Sequence, residues 1–241
     1  MTAIVLSGGG ARGAYEAGVV AGIVDVLGRR APTAAPFSIF TGTSVGAINA
    51  AFLAAHADQP DMNIEGLLDQ WRGLELKKHV SLDPLRFLAG ARLGKWIAQW
   101  RGEGGERWGR SLIDPKALER LVENGLPYER LHRNVQSGVV RGLVVAALEI
   151  STARTTLFAE LAPGQTFSPT RDPRRLLRPT MIHSGHVLAS AAIPLLFPAR
   201  RIGGRFYCDG GIRFNTPISP AIRCGANKLV VVSLLYPRPE L

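Results

Sequence analysis

The sequence predicts an α/β fold in which helices cover the faces of a parallel sheet. Three observations support this: strand-like and helix-like apolar segments alternate from the N-terminus, glycine-rich junctions join them, and no apolar run reaches the roughly 18 residues that a membrane span needs. The 241 residues are enough for one sizeable core. A single domain over the whole chain is therefore expected.

The first four elements form two strand–helix pairs. Residues 3–7 have the apolar pattern of a buried strand, and residues 14–27 have that of a helix. The same order returns with a strand over 37–41 and a helix over 45–57. This repetition is typical of parallel strands joined by helices.

The second half of the chain continues in the same style. Asp114 and Pro115 begin a predicted helix that Gly125 ends. The remaining predictions are a central strand at 142–150, a neighbouring strand of mixed exposure at 155–161, a helix at 186–192, a hairpin at 199–211, a short helix at 217–224 and a strand at 228–235.

Residues 77–110 differ from the rest of the chain, being rich in Trp, Arg and Gly, and are interpreted as an insertion or lid. Their apolar and basic positions separate onto different helical faces. That pattern is typical of a surface helix packed on the core, and a contact with a membrane interface is the alternative. Gly90 and Gly94 weaken both interpretations.

Basic residues outnumber acidic ones by 29 to 19, and the formal net charge is +10. Such a surface attracts anions, from lipid headgroups to nucleic acid, or simply keeps the protein in solution. No motif for reading nucleic acid accompanies the charge, so we expect no such partner. Cys208 and Cys224 are too few for a disulfide framework, and the apolar run at 3–6 is too short for a secretion signal. A cytoplasmic protein is expected.

The pentapeptide Gly-Thr-Ser-Val-Gly places Ser44 at a predicted strand-to-helix junction, between Gly42 and Gly46. A nucleophile elbow needs such glycines because the turn is tight and leaves little room for side chains. The helix that follows directs its positive end at Ser44. Short Gly and Ser patterns are common in turns, but this placement favours a nucleophile.

A second glycine-rich junction, residues 8–13, satisfies the Gly-x-Gly-x-x-Gly spacing of a dinucleotide-binding loop. No Asp or Glu occurs between Asp25 and Asp58, where a ribose-binding carboxylate is expected. We therefore interpret the loop, chiefly Gly9 and Gly10, as an oxyanion hole. A tight connection without chemistry is the alternative.

The group that accepts the proton of Ser44 is not evident from the histidines. In an α/β-hydrolase the histidine follows the acid in the chain, whereas all five histidines here precede Asp209. His183 and His186 stand at the start of a predicted helix, and we expect them to cap this helix or to pack beside the sheet. A catalytic role for either remains the alternative.

Asp209 is the better candidate base. It ends an apolar, strand-like segment, and Gly210 and Gly211 let its carboxylate approach another loop closely. Ser44 and Asp209 would then form a dyad in which burial raises the basicity of the carboxylate.

The motifs GGGARG, GTSVG and DGG, in this order, resemble those of the patatin-like phospholipase family. The segment ASAAIPLLFPA at 189–199, Asn215 and Pro217 are also similar to it, so the resemblance covers nearly the whole chain. It implies a three-layer sandwich with a mostly parallel central sheet flanked by helices. It also implies Ser44 as nucleophile and Asp209 as base.

The resemblance further implies that the glycine-rich loop is the oxyanion hole and that an arginine in it faces the substrate phosphate. No metal or cofactor is needed for this chemistry. The loop residues so assigned are Gly8, Gly9, Gly10, Arg12 and Gly13.

These observations predict a lipid acyl hydrolase that cleaves ester bonds of glycerophospholipids or related lipids through a covalent acyl-enzyme. Peripheral contact with an anionic membrane surface is expected at the inner face of the membrane. An acyltransferase using the same dyad and a nucleotide-binding module using the glycine-rich loop are the alternatives. The chain stops soon after its last predicted strand, whereas many members of the family continue with further helices, so a compact or truncated member is expected.

Overall fold

A computed structural model describes residues 1–28, 35–73, 107–108 and 116–234 of the protein. Within these ranges the strands join in one sheet. They are β1 (Thr2–Leu6), β2 (Ile39–Thr43), β3 (Arg107–Trp108), β4 (Gly142–Glu149), β5 (Thr155–Leu161), β6 (Arg175–Pro179), β7 (Ala199–Ile202), β8 (Arg205–Asp209) and β9 (Lys228–Val232).

The centre of the sheet is parallel. Its order is β3-β7-β8-β4-β2-β1-β9, with β5 beside β4 and β6 beside β5. Strands β9, β1, β2 and β4 run parallel to one another, while β8, β7 and β3 continue the sheet in antiparallel pairs. Every residue of β2 and β4 is buried, as expected for strands covered on both faces.

Helices form the outer layers. On one face, Ile4 and Leu6 of β1 join the main apolar core, and on the other Ala3 and Val5 pack with the last helix of the described chain. The helices are α1 (Gly13–Gly28), α2 (Val45–Ala55), α3 (Ile64–Gly73), α4 (Lys116–Asn124), α5 (Tyr128–Gln136), α6 (Ser184–Ser190) and α7 (Ile218–Arg223). The predicted α/β class, with a mostly parallel central sheet between helices, is confirmed.

The all-buried helix α2 is the centre of the main core. Its eleven residues are small or apolar apart from one asparagine, and each of them is buried against the sheet or another helix. None of the helices in the described ranges is long and apolar enough to cross a bilayer.

Strand β4 brings two distant segments of the chain together. Residues Ile39 to Thr43 of β2 pair with its first part, up to Ala146. Residues of β8 pair with its last part, beginning with Asp209 opposite Ala147. Strands β2 and β8 therefore end at neighbouring positions of β4, and the residues that follow their ends must meet there.

Most predicted elements are present, with boundaries shifted by one to two residues at most ends. The expectation of mixed exposure for 155–161 is wrong: β5 is buried up to its last residue because β4 and β6 flank it on both edges. Helices α3 and α5 and strand β6 were not predicted. The hairpin predicted at 199–211 is formed by β7 and β8.

The predicted lid at 77–110 lies outside the described residues except for Arg107–Trp108, which pair with β7. Its amphipathic pattern and its role as a lid therefore stay predictions. The predicted helix start at Asp114 and Pro115 also falls outside the described residues, and so does the end of the last predicted strand at residue 235.

Candidate active site

Ser44 occupies the turn between β2 and α2. Its backbone has φ 57° and ψ −128°, a strained conformation that residues with a side chain rarely adopt. A Cβ on Gly42 would lie 2.2 Å from the carbonyl oxygen of Gly46, and one on Gly46 would lie 2.4 Å from that of Leu6. Both clashes are with backbone, so these two positions of the elbow require glycine.

The hydroxyl of Ser44 contacts the carboxylate of Asp209. Ser44 Oγ donates to Asp209 Oδ2 at 2.5 Å, and the backbone N–H of Gly211 donates to Oδ1 at 2.7 Å. Ser44 is 3 % exposed and Asp209 is 4 % exposed. The buried carboxylate of Asp209 therefore accepts a hydrogen bond from the hydroxyl of Ser44, which is itself buried and has a strained backbone.

Burial also sets the basicity of this acceptor. It raises the pKa of Asp209 above its usual value, and the hydrogen bonds from Ser44 and from the N–H of Gly211 act in the opposite direction. A raised pKa makes the ionised carboxylate a stronger base than an exposed aspartate.

Gly210 allows the loop after Asp209 to cross β4. A Cβ on this residue would lie 2.3 Å from the carbonyl oxygen of Ala146, the β4 residue that pairs with the end of β2. The same loop contains Phe214, whose carbonyl oxygen accepts a hydrogen bond from the hydroxyl of Thr43 at 3.0 Å. The loop after Asp209 is therefore held against β4 at Gly210 and against the end of β2 by the Thr43 hydroxyl.

Ser190, at the end of α6, forms hydrogen bonds that connect the elbow to β4. Its Oγ accepts from the backbone N–H of Ser44 at 2.9 Å and donates to the carbonyl oxygen of Ala146 at 2.6 Å. One buried hydroxyl thus connects the nucleophile candidate to the central strand. Sequence reasoning did not single out this residue, although it lies in the segment at 189–199 that carries part of the family resemblance.

The glycine-rich loop lies against Ser44. A Cβ on Gly8 would come within 3.2 Å of the Cβ of Ser44 and 2.5 Å of Asn215 Oδ1. The N–H of Gly8 donates to the carbonyl oxygen of Asn215 at 3.0 Å. Among the described residues no acceptor faces the N–H of Gly9 or Gly10, and Gly10 has φ +59°. Free backbone N–H donors are one requirement of an oxyanion hole, and the assignment of these two amides to one stays a prediction.

The other two loop residues have structural contacts. Arg12 donates from Nη1 to the carbonyl oxygen of Leu234 at 2.8 Å and from Nε to that of Gly9 at 3.4 Å. A Cβ on Gly13 would lie 2.6 Å from the ring of Trp71. Arg12 therefore fastens the loop to the chain after β9, and its contact with a substrate phosphate stays a prediction.

The two histidines considered as alternative bases cap a helix. His183 is the N-cap of α6 and accepts the N–H of Gly185, and Nδ1 of His186 accepts the N–H of His183 at 3.2 Å. Burial first, and His183 second, lower the pKa of His186 to about 3. The predicted capping role is confirmed, and the helix they begin is the one that ends at Ser190.

A buried polar group behind the glycine-rich loop escaped sequence reasoning. Glu16 is fully buried in α1, where Asn49 Nδ2 donates to its Oε2 at 2.8 Å. An acidic residue in the first turn of a helix is ordinarily an exposed partner of the helix dipole, so the sequence carries no sign of this burial.

A cavity of about 260 Å³ lies beside the loop that carries Asp209. Three arginines contribute to its wall, so its charge is net positive despite one aspartate. The lining residues are Thr155, Asp172, Arg174, Arg175 and Arg213. An opening of this kind accepts anionic groups.

Comparison with known proteins agrees with the fold and the motifs. The chain is 30% identical over 214 residues to a protein of Pseudomonas aeruginosa (strain BWHPSA011 / Pa011) described as a cGAMP-activated phospholipase. The match covers 89% of this chain and 53% of that protein. The chain therefore spans about half the length of this curated relative.

The crystal structure of VipD from Legionella pneumophila has a similar fold. The TM-score is 0.52 at 18% identity, over 95% of this chain and 49% of that one. A family model for Patatin-like phospholipase matches residues 4–222, which include the elbow, the glycine-rich loop and Asp209. The chain belongs to the patatin-like phospholipase family.

Proposed function

We propose that the protein is a lipid acyl hydrolase that cleaves carboxylic esters of glycerophospholipids or related lipids with Ser44 as nucleophile and Asp209 as base. The observation that carries the proposal is the buried hydrogen bond from Ser44 Oγ to Asp209 Oδ2, at 2.5 Å, next to a loop with two free amides. Family membership and the relative described as a phospholipase support the choice of substrate class.

The first half of the reaction acylates the serine. Ser44 Oγ attacks the ester carbonyl carbon while its proton passes to Asp209, and the amides of Gly9 and Gly10 stabilise the oxyanion. The C–O bond to the alcohol then breaks. Asp209 returns its proton to the departing alkoxide, which leaves as an alcohol, and a Ser44 acyl ester remains.

The second half releases the fatty acid. Asp209 takes a proton from a water molecule as that water attacks the acyl ester, and the same amides hold the second oxyanion. The Ser44–acyl bond breaks and the proton returns to Ser44 Oγ. An alcohol in place of water would give acyl transfer instead, so product analysis with added alcohols separates the two activities.

Contact with an anionic membrane surface is the second part of the proposal. The net charge of +10 and the arginines around the cavity beside the Asp209 loop favour negatively charged headgroups. Ile212, in the turn just after Asp209, is 54% exposed, and Leu195, in the loop before β7, is 74% exposed. Apolar tips beside basic groups are suited to an interface of lipid tails and headgroups.

The test is turnover of a short-chain ester and of mixed glycerophospholipid vesicles by the whole chain. Wild type, Ser44→Ala and Asp209→Asn are compared, with Asp69→Asn on the exposed face of α3 as a matched control. Assays run with and without cGAMP, because the relative is described as activated by it. We expect both dyad variants to fold and to lose nearly all hydrolysis, because the two groups act as a unit.

Two results contradict the proposal. Hydrolysis retained in Asp209→Asn removes the base assignment and returns attention to His183 and His186. Failure of the wild type to hydrolyse any ester, in either assay condition, removes the hydrolase itself; nucleotide binding by the glycine-rich loop would then be measured directly.

A further inference from the structure

Glu16 is a buried carboxyl group that the proposed reaction does not use. It lies in the first turn of α1, three residues after the end of the glycine-rich loop, and is 0% exposed. Its Oε2 accepts from Asn49 Nδ2 at 2.8 Å, whereas Oε1 has no hydrogen-bond partner among the described residues. A buried polar atom without a partner is costly, so its presence requires a reason.

Asn49 connects this carboxyl group to both motif loops. Its Nδ2 also donates to the carbonyl oxygen of Gly13, the last residue of the glycine-rich loop, at 3.2 Å. Its Oδ1 accepts from Trp71 Nε1 at 2.8 Å, which fixes the orientation of the amide. Asn49 lies in α2, the helix that starts immediately after Ser44. The amide therefore bridges the loop that supplies the oxyanion donors and the helix that carries the nucleophile.

The charge state of Glu16 follows from its surroundings. Burial raises its pKa to about 8, while the hydrogen bond from the amide of Asn49 and the nearby backbone of Ser7, whose N–H donates to the carbonyl oxygen of Val232, act in the opposite direction. Near neutral pH the group is therefore an uncharged carboxylic acid.

Within the part of the chain that the structure describes, no ionised side chain contributes to this shift. Helix α2 carries no ionisable residue, and the charged groups of the other elements packed against α1 lie at the protein surface. These surface groups are Arg12 before α1, Glu65, Asp69 and Arg72 on α3, and Lys228 on β9.

We propose that Glu16 is a positioning residue for the hydrolysis proposed above: in its neutral form it holds Asn49 between the glycine-rich loop and the elbow helix, and its ionisation at alkaline pH suppresses ester cleavage. The inference rests on the proposed function. Ionisation would draw the Asn49 amide toward the new charge and away from Gly13. It would also place a buried negative charge behind the loop where the oxyanion forms, and like charges repel strongly in a dry interior.

The pH at which activity falls on the alkaline side identifies the group that ionises. Cys208, next to Asp209, is the other nearby group that could lose a proton, and burial raises the pKa of its thiol to about 11. Loss of activity centred near pH 8 therefore identifies Glu16, and loss centred near 11 identifies the thiol.

The experiment measures kcat and KM against pH for wild type and Glu16→Gln, with Ser44→Ala as the blank for spontaneous hydrolysis. Glutamine keeps an acceptor for Asn49 and cannot ionise. We expect wild-type kcat to fall about tenfold per pH unit above the pKa, with KM little changed. Glu16→Gln should keep the neutral-pH rate within about threefold and lose the alkaline limb. Glu65→Gln, an exposed control on α3, should keep it.

A second variant and a second readout complete the test. Glu16→Asp retains a titrating group on a shorter side chain, so we expect a lower kcat with an alkaline limb still present. Stability against denaturant is measured in parallel, because a raised folded-state pKa makes the wild type lose stability as pH rises from about 4.5 to about 8, and Glu16→Gln should not show this slope.

The outcomes separate the two proposals. Ser44-dependent hydrolysis whose alkaline limb is unchanged in Glu16→Gln overturns the role of Glu16 and leaves the hydrolase intact. A lost stability slope together with an unchanged limb shows that Glu16 titrates without positioning the site, which also overturns the inference. Absence of hydrolysis in the wild type overturns the proposed function and the role of Glu16 with it.

Discussion

At the scale of single residues, the site depends on hydroxyl and carboxyl groups held by contacts far apart in sequence. Ser44 forms hydrogen bonds with Asp209, which lies 165 positions away in the sequence, and with Ser190, which lies 146 positions away. The positive φ of Ser44 is a strained conformation, and such strain persists only where surrounding contacts fix it. The hydroxyl of Ser190 is one such contact, since it fills the hydrogen-bonding needs of the Ser44 N–H and of a β4 carbonyl.

Ser190→Ala tests this support. Both backbone groups would lose a buried partner, which costs about 1–3 kcal/mol per group. We expect a fall in kcat of about 10- to 100-fold with KM nearly constant, because the nucleophile is displaced while the lipid contacts remain. Ser137→Ala, which removes a hydroxyl at the end of α5, is the control. An unchanged kcat in Ser190→Ala would show that the elbow keeps its conformation without the hydroxyl of Ser190.

The acid limb of the pH profile tests the base. The proposed reaction requires ionised Asp209, whose pKa burial raises, so on this proposal kcat/KM rises with pH through a single ionisation above the usual aspartate range. His186→Asn keeps an acceptor for the N–H of His183 and should leave this limb in place. An acid limb that disappears in His186→Asn would point instead to a histidine.

Residues within short motifs could be predicted from sequence, and isolated ones could not. Ser44 and Asp209 stand beside glycines whose spacing reflects a tight turn, so the pattern itself carries the information. Ser190 and Glu16 have no such neighbours. Their positions depend on buried contacts between distant segments, and nothing in the local sequence distinguishes them from ordinary helix residues.

At the scale of elements, three segments are packed without space for a side chain. The elbow approaches β1 at Gly46, the loop after Asp209 crosses β4 at Gly210, and the glycine-rich loop touches Ser44 at Gly8. In each case the close approach brings main chain to the site. Glycine is needed here for contact as well as for conformation.

Gly46→Ala tests one of these approaches. Its Cβ would lie 2.4 Å from the carbonyl oxygen of Leu6, so the elbow and β1 would have to separate. We expect loss of activity and a loss of stability of about 2 kcal/mol or more, read from the denaturant midpoint. Gly18→Ala in α1 has open space around the new methyl group and should instead stabilise the protein by up to about 1 kcal/mol. Equal stability of the two variants would contradict the packing argument.

The elements themselves were predictable where their pattern was strong. The buried strands β1, β2 and β4 are rich in apolar residues. The helices that follow β1 and β2 each begin at a glycine-rich turn. The prediction that β5 is partly exposed was wrong, because polar residues such as Thr156 and Glu160 are buried there. Glu160 is satisfied by His132 Nδ1 at 2.8 Å and by the N–H of Ile182 at 2.6 Å, contacts that no alternation of polar and apolar residues reveals.

At the scale of the whole molecule, charge and shape act together. The excess of basic residues was evident from composition, but composition does not say where the charge lies. In the structure Arg174, Arg175 and Arg213 gather at the cavity beside the Asp209 loop. These three charges favour contact of the cavity side of the molecule, to which the turn after Asp209 contributes Arg213, with an anionic surface.

Vesicle binding tests this placement. We expect binding to anionic vesicles at low salt and release as salt rises, because the Debye length falls from about 10 Å at 0.1 M to about 3 Å at 1 M. Arg213→Gln should weaken binding about fivefold, equivalent to about 1 kcal/mol. Arg130→Gln removes the same charge from a pair with Asp58 and should have less effect. Equal binding to zwitterionic vesicles would remove the electrostatic proposal.

The shared strand β4 also determines when the proposed activity can arise during biosynthesis. A growing polypeptide exposes Ser44 long before the ribosome has made residue 209, and until that later segment docks, the serine has no base. On the proposed mechanism a half-made or half-folded chain is harmless to the cell's own lipids. Hydrolysis would begin only when the second segment reaches its place on the sheet.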